Sequence, residues 1–336
     1  MRLARFCAFL VIFSASNGAE ALIPSSSSPA DDRMHSWCES VGIEVNPSVR
    51  LLTTPESVAG RGVFAIEPLV ADELIASIPT YAMFHPRNAR NMFPQVAARI
   101  EQQMKCPADD AHDKQQGKRK WIPRWLRRVF RRKSMDRENH GEEPPWQLEL
   151  TEYALAAVGE DHPFSPWIQQ WQRDDPVQRL FDKGSPTEED VKIAAAELHK
   201  MVPDVNLYKI LAALNIRLEE YESLKPLFAE ASSQSASMYA TVTSRTIGLS
   251  EDITGVVPFH DMLNHNFHPS VGLGFSDDGK NLELFALKNI AAGEELFLCY
   301  TAVGKEYTED ASVWMLVQWG IPVLKSEWKV ADAAPY

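Results

Sequence analysis

Residues 256–269 read VVPFHDMLNHNFHP, a stretch with three histidines, one carboxylate and two carboxamides inside nine positions. Imidazole and carboxylate groups are ligands that metal ions accept, so the stretch has to be weighed as a metal site. Zinc hydrolases typically carry two histidines four residues apart with a glutamate between them. Here His260 and His265 are five apart, and Asn264 is a poor ligand. The spacing therefore argues against a metal.

A second interpretation follows from the positions of the other polar residues. Asp261, Asn264 and His265 stand at i, i+3 and i+4, so a short helix beginning at Pro258 would present all three on one face. A carboxylate, an amide and an imidazole side by side would bind a polar ligand through hydrogen bonds. The alternative is a helix end whose polar side chains satisfy only each other.

Composition and charge narrow the class of protein. The chain has 336 residues, of which 45% are apolar and 10% aromatic, enough to build a globular core. The formal charge of −12 argues against nucleic acid as a partner. Residues 118–133 nevertheless carry nine Lys and Arg and no acid, which leaves −12 − 9 = −21 on the remainder.

The N-terminus has the order of a secretory signal peptide. Two arginines precede the apolar run Phe6 to Phe13, and a small-residue region then ends at Ala21. We expect a signal peptide over 1–21 and a linker or transit segment over 22–44. The scattered cysteines give no disulfide framework. Entry into the secretory route followed by a reducing compartment, such as the plastid of an alga, would reconcile these features.

The order of elements predicts an α+β fold. RLLTT, GRGVFAI and ELIASIP, between residues 50 and 79, are short apolar runs typical of strands. Helical spacing dominates from about 82 to 235, and SPTE at 185–188 resembles a capping box with Ser185 as the N-cap. LELFALKNI (282–290) and EELFLCY (294–300) then predict a hairpin.

The basic segment at 118–133 lies inside this helical region. Trp121, Trp125 and Val129 recur every four residues, with arginines on the other side. Such a basic amphipathic helix would lie on an anionic membrane surface or in a partner's groove. Docking on the acidic body of the same protein is an equal alternative.

Four motifs in register resemble the SET-domain protein methyltransferases. They are GRGVFAIEPLVADELIASIP (60–79), TSRTIGL (243–249), VVPFHDMLNH (256–265) and GEELFLCY (293–300). The resemblance covers about 45 to 322 and is greatest to the Rubisco large-subunit lysine methyltransferase branch. In that branch a long helical insertion splits a fold of small β-sheets with a knot-like C-terminal segment.

The resemblance implies S-adenosylmethionine (SAM) as the cofactor, no metal, and a protein substrate, with the chain acting as a monomer. The family's arginine after a Ser or Thr contacts the cofactor, and a guanidinium suits a carboxylate. The residues that the resemblance assigns to the cofactor site are Arg61, Gly62, Glu73, Ile75, Ser244, Arg245, Asp261, Asn264, His265 and Tyr300.

Tyr300 matches the family's catalytic tyrosine. Methyl transfer from a sulfonium is an in-line displacement, so the enzyme must align a neutral nucleophile and exclude water. A lysine nitrogen, with a solution pKa of ~10.4, first has to lose its proton, which desolvation and a nearby positive charge favour. Histidine is the less favoured acceptor in the same branch. The resemblance therefore implies a SAM-dependent protein-lysine N-methyltransferase.

Two departures from the family keep other functions open. Thr301 follows the tyrosine where the family usually has glycine, and the sequence stops at Tyr336, without the C-terminal helical domain with which relatives grip substrate. A non-catalytic SET-fold protein that binds a partner is therefore one alternative. A metal-dependent hydrolase built on His260, Asp261, His265 and His268 is a remote one.

The resemblance also divides the chain into parts. We expect an N-terminal SET part over 45–81, a helical insertion over 82–237, and a C-terminal SET part over 238–301. Residues 302–336 would close the cofactor site and form a tail.

Overall fold

The computed structural model of the chain describes residues 29–53, 60–105, 143–159, 162–171, 174–249, 254–300 and 308–325. The predicted signal peptide (1–21), the basic segment (118–133) and Thr301 all lie outside these ranges.

The described elements form two groups. The strands are β1 (Glu44–Val45), β2 (Val49–Thr53), β3 (Arg61–Ala65), β4 (Leu74–Pro79), β5 (Ile247–Gly248), β6 (Thr254–Gly255), β7 (Asn264–His265), β8 (Val271–Phe275), β9 (Asn281–Ala286) and β10 (Glu295–Leu298). The α-helices are α1 (Pro29–Ser40), α2 (Pro86–Met92), α3 (Pro94–Lys105), α4 (Trp146–Gly159), α5 (Ser165–Ile168), α6 (Pro176–Phe181), α7 (Glu188–Met201), α8 (Leu207–Leu224), α9 (Ser233–Arg245) and α10 (Glu309–Trp319). Short 3₁₀ turns cover Thr80–Ala82, Lys225–Leu227 and His260–Met262.

The strands form two four-stranded sheets and one two-stranded ribbon. One sheet has the order β1-β4-β9-β8, the other β2-β3-β10-β7, and β5 pairs with β6. The three strands predicted before residue 80 are confirmed as β2, β3 and β4. The predicted hairpin is wrong, because β9 pairs with β4 and β8 whereas β10 pairs with β3 and β7. The two runs lie in different sheets.

The N-terminal helix corrects part of the predicted linker. Helix α1 falls within 22–44 and buries Met34, Trp37 and Cys38 in the main core. Trp37 lies against Trp167 of α5, with ring centroids 5.5 Å apart and planes 15° from parallel. A linker would have no reason to bury three apolar side chains, so this part of the segment belongs to the folded domain.

The predicted helices between the two halves of the sheet system are present. Helix α7 begins after Thr187, which forms a capping box with Asp190, so the predicted N-cap at Ser185 is two residues early. Helices in the described ranges run from α2 through to α9. None of them is both long and apolar enough to cross a bilayer.

Helix α10 is fixed against the insertion at both ends. Lys209 of α8 forms ion pairs with Glu309 and Asp310 at 2.5 and 2.7 Å, at the start of α10. At its other end the buried Arg217 of α8 donates to the Val317 carbonyl at 2.7 Å. Because cations are favoured at a helix C-terminus, this contact complements the helix dipole.

Arg217 also fixes the end of the neighbouring helix. Its guanidinium donates to the hydroxyl of Thr243 at 2.5 Å, and Gln318 of α10 donates to the Thr243 backbone carbonyl. Thr243 immediately precedes Ser244 and Arg245 at the end of α9. Helices α8, α9 and α10 therefore meet directly beside two of the predicted site residues.

Candidate active site

The stretch 256–269 forms a turn and a strand, not the predicted helix. The residues His260–Met262 make one 3₁₀ turn, and Asn264–His265 then form β7. β7 pairs in parallel with β10, with Asn264 opposite Phe297 and His265 opposite Leu298. Because β10 offers backbone partners here, the chain extends after Met262, and successive side chains then point to opposite faces. The predicted single face is wrong, although the three residues stay in one region.

Phe259 allows this change of direction. It is buried and has φ = 66°, in the left-handed region that a bulky side chain rarely adopts. Backbone strain of this kind persists only where the surroundings enforce it and is common at functional sites. Phe259 therefore begins the turn that carries Asp261 and leads into β7 beside β10.

Asn264 joins two strands of its sheet. Its side-chain nitrogen donates to the backbone carbonyl of Arg61 at 2.8 Å and to the Glu295 carboxylate at 2.6 Å. Arg61 begins β3 and Glu295 begins β10, so the amide connects the first and the last of the four motifs. One side chain therefore fixes three motifs relative to each other.

Asp261 lies at the centre of the charged part of the site. Its side chain has no exposed surface. Arg245 donates to its backbone carbonyl at 3.0 Å and lies 3.4 Å from its carboxylate. The indole nitrogen of Trp167 donates to both carboxylate oxygens, at 3.1 and 3.2 Å. The second and third motifs are thus joined by an ion pair.

Burial and charge act on Asp261 in opposite directions. Desolvation raises the pKa of its carboxyl group, and the nearby Arg245 guanidinium and the Trp167 hydrogen bond lower it. A buried carboxylate is stable only when it is paired and hydrogen-bonded. The Arg245 guanidinium and the Trp167 indole N–H meet this requirement, so the charge of Asp261 can be kept inside the protein.

His265 and Tyr300 are joined through the backbone. The amide N–H of Tyr300 donates to Nδ1 of His265 at 3.1 Å. Burial lowers the pKa of His265 to about 4, so the ring is neutral and its proton lies on Nε2. That buried nitrogen has no hydrogen-bond partner among the described residues. A ligand that brings an acceptor to Nε2 would satisfy this donor.

The hydroxyl group of Tyr300 has a defined direction. It donates to the carbonyl oxygen of Leu263 at 2.6 Å, and its ring lies edge-on to Trp319 of α10 at 5.9 Å. Burial raises the pKa of Tyr300 to about 12. The phenol is therefore neutral near pH 7, and its oxygen lone pairs remain available as acceptors.

Three predicted site residues in β3 and α9 have structural partners. The guanidinium of Arg61 donates to the side chain and the backbone carbonyl of Gln170 at 3.2 and 2.7 Å. Gly62 pairs with Leu52 inside the sheet. Ser244 is buried, and its hydroxyl donates to the Thr241 carbonyl one turn earlier. Arg61 thus links the first motif to the helical insertion.

Glu73 and Ile75 make no contact with Asp261 or Arg245 in the bonds described. The carboxylate of Glu73 accepts from the side chain of Asn46 and the amide of Val70, both at 2.9 Å. These hydrogen bonds lower the pKa of Glu73. Ile75 is fully buried in β4. The described contacts of both residues are with the sheet and its preceding turn.

The remaining histidines of the stretch do not gather around a metal. Within the described ranges, no three His, Cys, Asp or Glu side chains lie close enough together to hold one ion. His260 is buried, and desolvation lowers its pKa to about 4. His268 is exposed, and its backbone amide donates to Asn266.

Two residues of the site were not predicted from the sequence. Trp167 and Gln170 belong to the helical insertion, far along the chain from the motifs that they contact. Their segment reads FSPWIQQW (164–171), where the two tryptophans suggest only a buried aromatic cluster. The sequence carries no signal that assigns an indole N–H to a particular carboxylate.

The chain matches one known protein family. A family model described as SET domain matches residues 60–301, more than half of the chain. No curated protein sequence matches the chain.

One solved structure gives the same fold, and a second is similar. The SET domain of LSMT bound to methyllysine and AdoHcy superposes with a TM-score of 0.51 at 14% identity, covering 89% of this chain and 58% of that chain. Rubisco LSMT bound to AdoMet gives a TM-score of 0.49 at 14% identity, covering 88% and 57%. This chain therefore spans about three-fifths of the length of these structures. At such identity the first likeness shows the fold alone, and with the family match it confirms the predicted α+β SET fold.

Proposed function

Because the chain belongs to the SET-domain family, we propose that it is a SAM-dependent protein methyltransferase acting on a lysine side chain. The observation that carries this proposal is the connection between the four sequence motifs. The segment 261–265 contains Asp261 and Asn264. Three residues from separate parts of the chain, Arg61, Arg245 and Tyr300, each form a hydrogen bond with this segment.

The donors in the site suit SAM as the cofactor. The Nε2–H of His265 is buried and unsatisfied among the described residues, as expected where a ligand supplies an acceptor. The side chain of Arg245 is 13% exposed and lies beside the buried carboxylate of Asp261. Arg245, Asn264 and His265 would hold the cofactor, whose sulfonium supplies an electrophilic methyl group.

Tyr300 would orient the nucleophile instead of removing its proton. Its own proton is engaged with the Leu263 carbonyl, and with a pKa of about 12 it is not a base near neutral pH. Its oxygen can therefore accept a hydrogen bond from an amine N–H, which directs the nitrogen lone pair away from the tyrosine. This positioning role needs a rigid hydroxyl, and the Leu263 contact provides one.

We propose lysine in preference to histidine as the substrate, because two carboxylates act on the surroundings of Tyr300. The negative charges of Asp261 and Glu295 act on its phenol, and Arg245 opposes them. A cationic side chain is attracted to such carboxylates as it enters. Desolvation in the closed site then favours loss of its proton and exposes the neutral nucleophile.

A transfer assay with an amino-acid readout tests the proposal. The purified chain would be incubated with SAM labelled in its methyl group and an extract of undermethylated protein, and the labelled protein would be hydrolysed to amino acids. We expect the label in methylated lysine. Label in methylhistidine alone would exclude the lysine assignment, and SAM binding without any transfer would favour the non-catalytic alternative.

A further inference from the structure

A tryptophan of the helical insertion contacts the buried carboxylate of the site. The indole N–H of Trp167 lies 3.1 and 3.2 Å from the two oxygens of Asp261. Both partners are fully buried, Trp167 with no exposed surface and Asp261 with none on its side chain. Hydrogen bonds to an ionised acceptor are about twice as strong as neutral ones. The contact therefore acts on the charge and on the orientation of Asp261.

Neighbouring rings and one hydrogen bond fix the indole of Trp167. Trp37 of α1 stacks on it at 5.5 Å, and Trp171 meets it edge-on at 4.7 Å with planes 84° apart. The indole N–H of Trp37 in turn donates to the Pro163 carbonyl at 2.5 Å. Trp167 therefore cannot rotate without disrupting a cluster built from both α1 and the insertion.

We infer that Trp167 is a positioning residue, whose indole N–H keeps the Asp261 carboxylate ionised and oriented toward Arg245. This inference rests on the proposed function for its effect on catalysis, but the contact itself can be tested without activity. The insertion would then serve the chemistry directly, in addition to any role in binding the protein substrate.

Several groups besides Trp167 face Asp261, and they determine how the pKa of Asp261 would change if Trp167 were replaced. The facing charged or titratable groups are Arg245 on α9, Arg61 on β3, Cys38 on α1 and Tyr300 after β10. The two arginines favour the carboxylate, whereas the thiol and the phenol are neutral near pH 7. Without the Trp167 donor, burial remains and one stabilising hydrogen bond is lost, so the pKa of Asp261 rises.

The variant Trp167→Phe tests this inference because it keeps an aromatic ring and removes the N–H. The rate of methyl transfer should fall about tenfold on the acidic side of the pH profile, as the acidic limb moves about one pH unit higher, and should recover at high pH. At high pH, where Asp261 is ionised in both proteins, the dissociation constant of SAM should stay within about twofold. Trp37→Phe is the matched control, because it removes an indole N–H of the same stack that donates to the Pro163 carbonyl and not to Asp261, so its acidic limb should stay at the parental pH. An equal loss at every pH would overturn the inference.

A spectroscopic measurement separates this inference from the proposed function. The indole ¹⁵N–¹H resonance of Trp167, assigned as the peak missing in Trp167→Phe, should shift strongly in Asp261→Asn and little in Asn266→Ala. Asn266 lies five residues from Asp261, and its side chain accepts only from the backbone amide of His268 in the contacts described. A shift of the resonance without any methyl transfer would support the Trp167–Asp261 contact and contradict the proposed methyltransferase activity. An unshifted resonance would refute the contact whatever the activity.

Discussion

Removal of the Tyr300 hydroxyl is the most informative perturbation of the site. In Tyr300→Phe the ring keeps its place against Trp319 and His265, with centroids at 5.9 and 5.4 Å. The only group lost is the hydroxyl that donates to the Leu263 carbonyl at 2.6 Å. The variant therefore tests the hydrogen-bonding role of the tyrosine with little change in packing.

The expected effects on stability and on rate differ in size. Leu263 is fully buried, so its carbonyl loses a partner in a place with little water. The free energy of unfolding should fall by about 1–3 kcal/mol. A positioned group of this kind typically contributes about 10²–10³ to the rate, or about 2.7–4 kcal/mol in the transition state. The dissociation constant of SAM should change little, since the lost contact is within the protein.

Initial rates of labelled methyl transfer, SAM titrations and urea unfolding measure the three quantities separately. Tyr208→Phe is the matched control, because Tyr208 is 79% exposed on α8 and should behave as the parent chain in all three. A Tyr300→Phe variant that keeps more than about a tenth of the parental rate would refute the assigned role. Loss of SAM binding together with the rate would show a cofactor-binding role instead.

Two further predictions concern stability. Arg217→Met should lower the free energy of unfolding by about 2–3 kcal/mol, because the Val317 carbonyl and the Thr243 hydroxyl lose a charged, buried donor. Lys209→Met breaks partly exposed ion pairs and should lower it by less than about 1 kcal/mol. Equal losses of the two variants in urea titrations would contradict this account of α10. His260 has a folded-state pKa of about 4 against 6.5 in the unfolded chain, so the unfolded state binds its proton first and stability falls as pH drops below 6.5. Between pH 7 and pH 5 the loss of unfolding free energy from His260 should be about 2 kcal/mol. This contribution should be absent in His260→Phe. A pH dependence of stability that the substitution leaves unchanged would show that His260 is not buried in its neutral form.

The strands before residue 80 and the amphipathic helices could be predicted because their patterns are local. The run GRGVFAI becomes β3 with its apolar residues buried, and the helical spacing after Thr187 becomes α7. The predicted capping box begins two residues too early, because Ser185 and Thr187 are both good N-caps. Only the position of the hydrogen bond to Asp190 decides between them.

Strand pairing and the shape of the motif could not be predicted from such patterns. The runs that become β9 and β10 alternate in the same way, and their partners are set by β4 and β3 from the other half of the fold. Likewise, the spacing of Asp261, Asn264 and His265 suits a helix as well as the observed turn and strand. The parallel edge of β10 decides in favour of the strand.

The recognition of the site depended on residue identity more than on local structure. Asp261, Asn264 and His265 were assigned by resemblance, and they lie together although the helix proposed for them does not exist. The role of Trp167 could not be predicted, because its contact with Asp261 spans 94 positions of sequence. An interaction of that range arises only from the packing of the insertion against the sheets.

The central claim is that the segment 261–265 forms part of a SAM site, and calorimetric titration of the purified chain with SAM tests it most directly. We predict saturable binding to the parent chain that is lost in Asn264→Ala, because the amide fixes the Arg61 carbonyl and Glu295 at once. Asn266→Ala, at a neighbouring asparagine outside the site, should bind as the parent does. No binding by the parent chain, or undiminished binding by Asn264→Ala, would contradict the account.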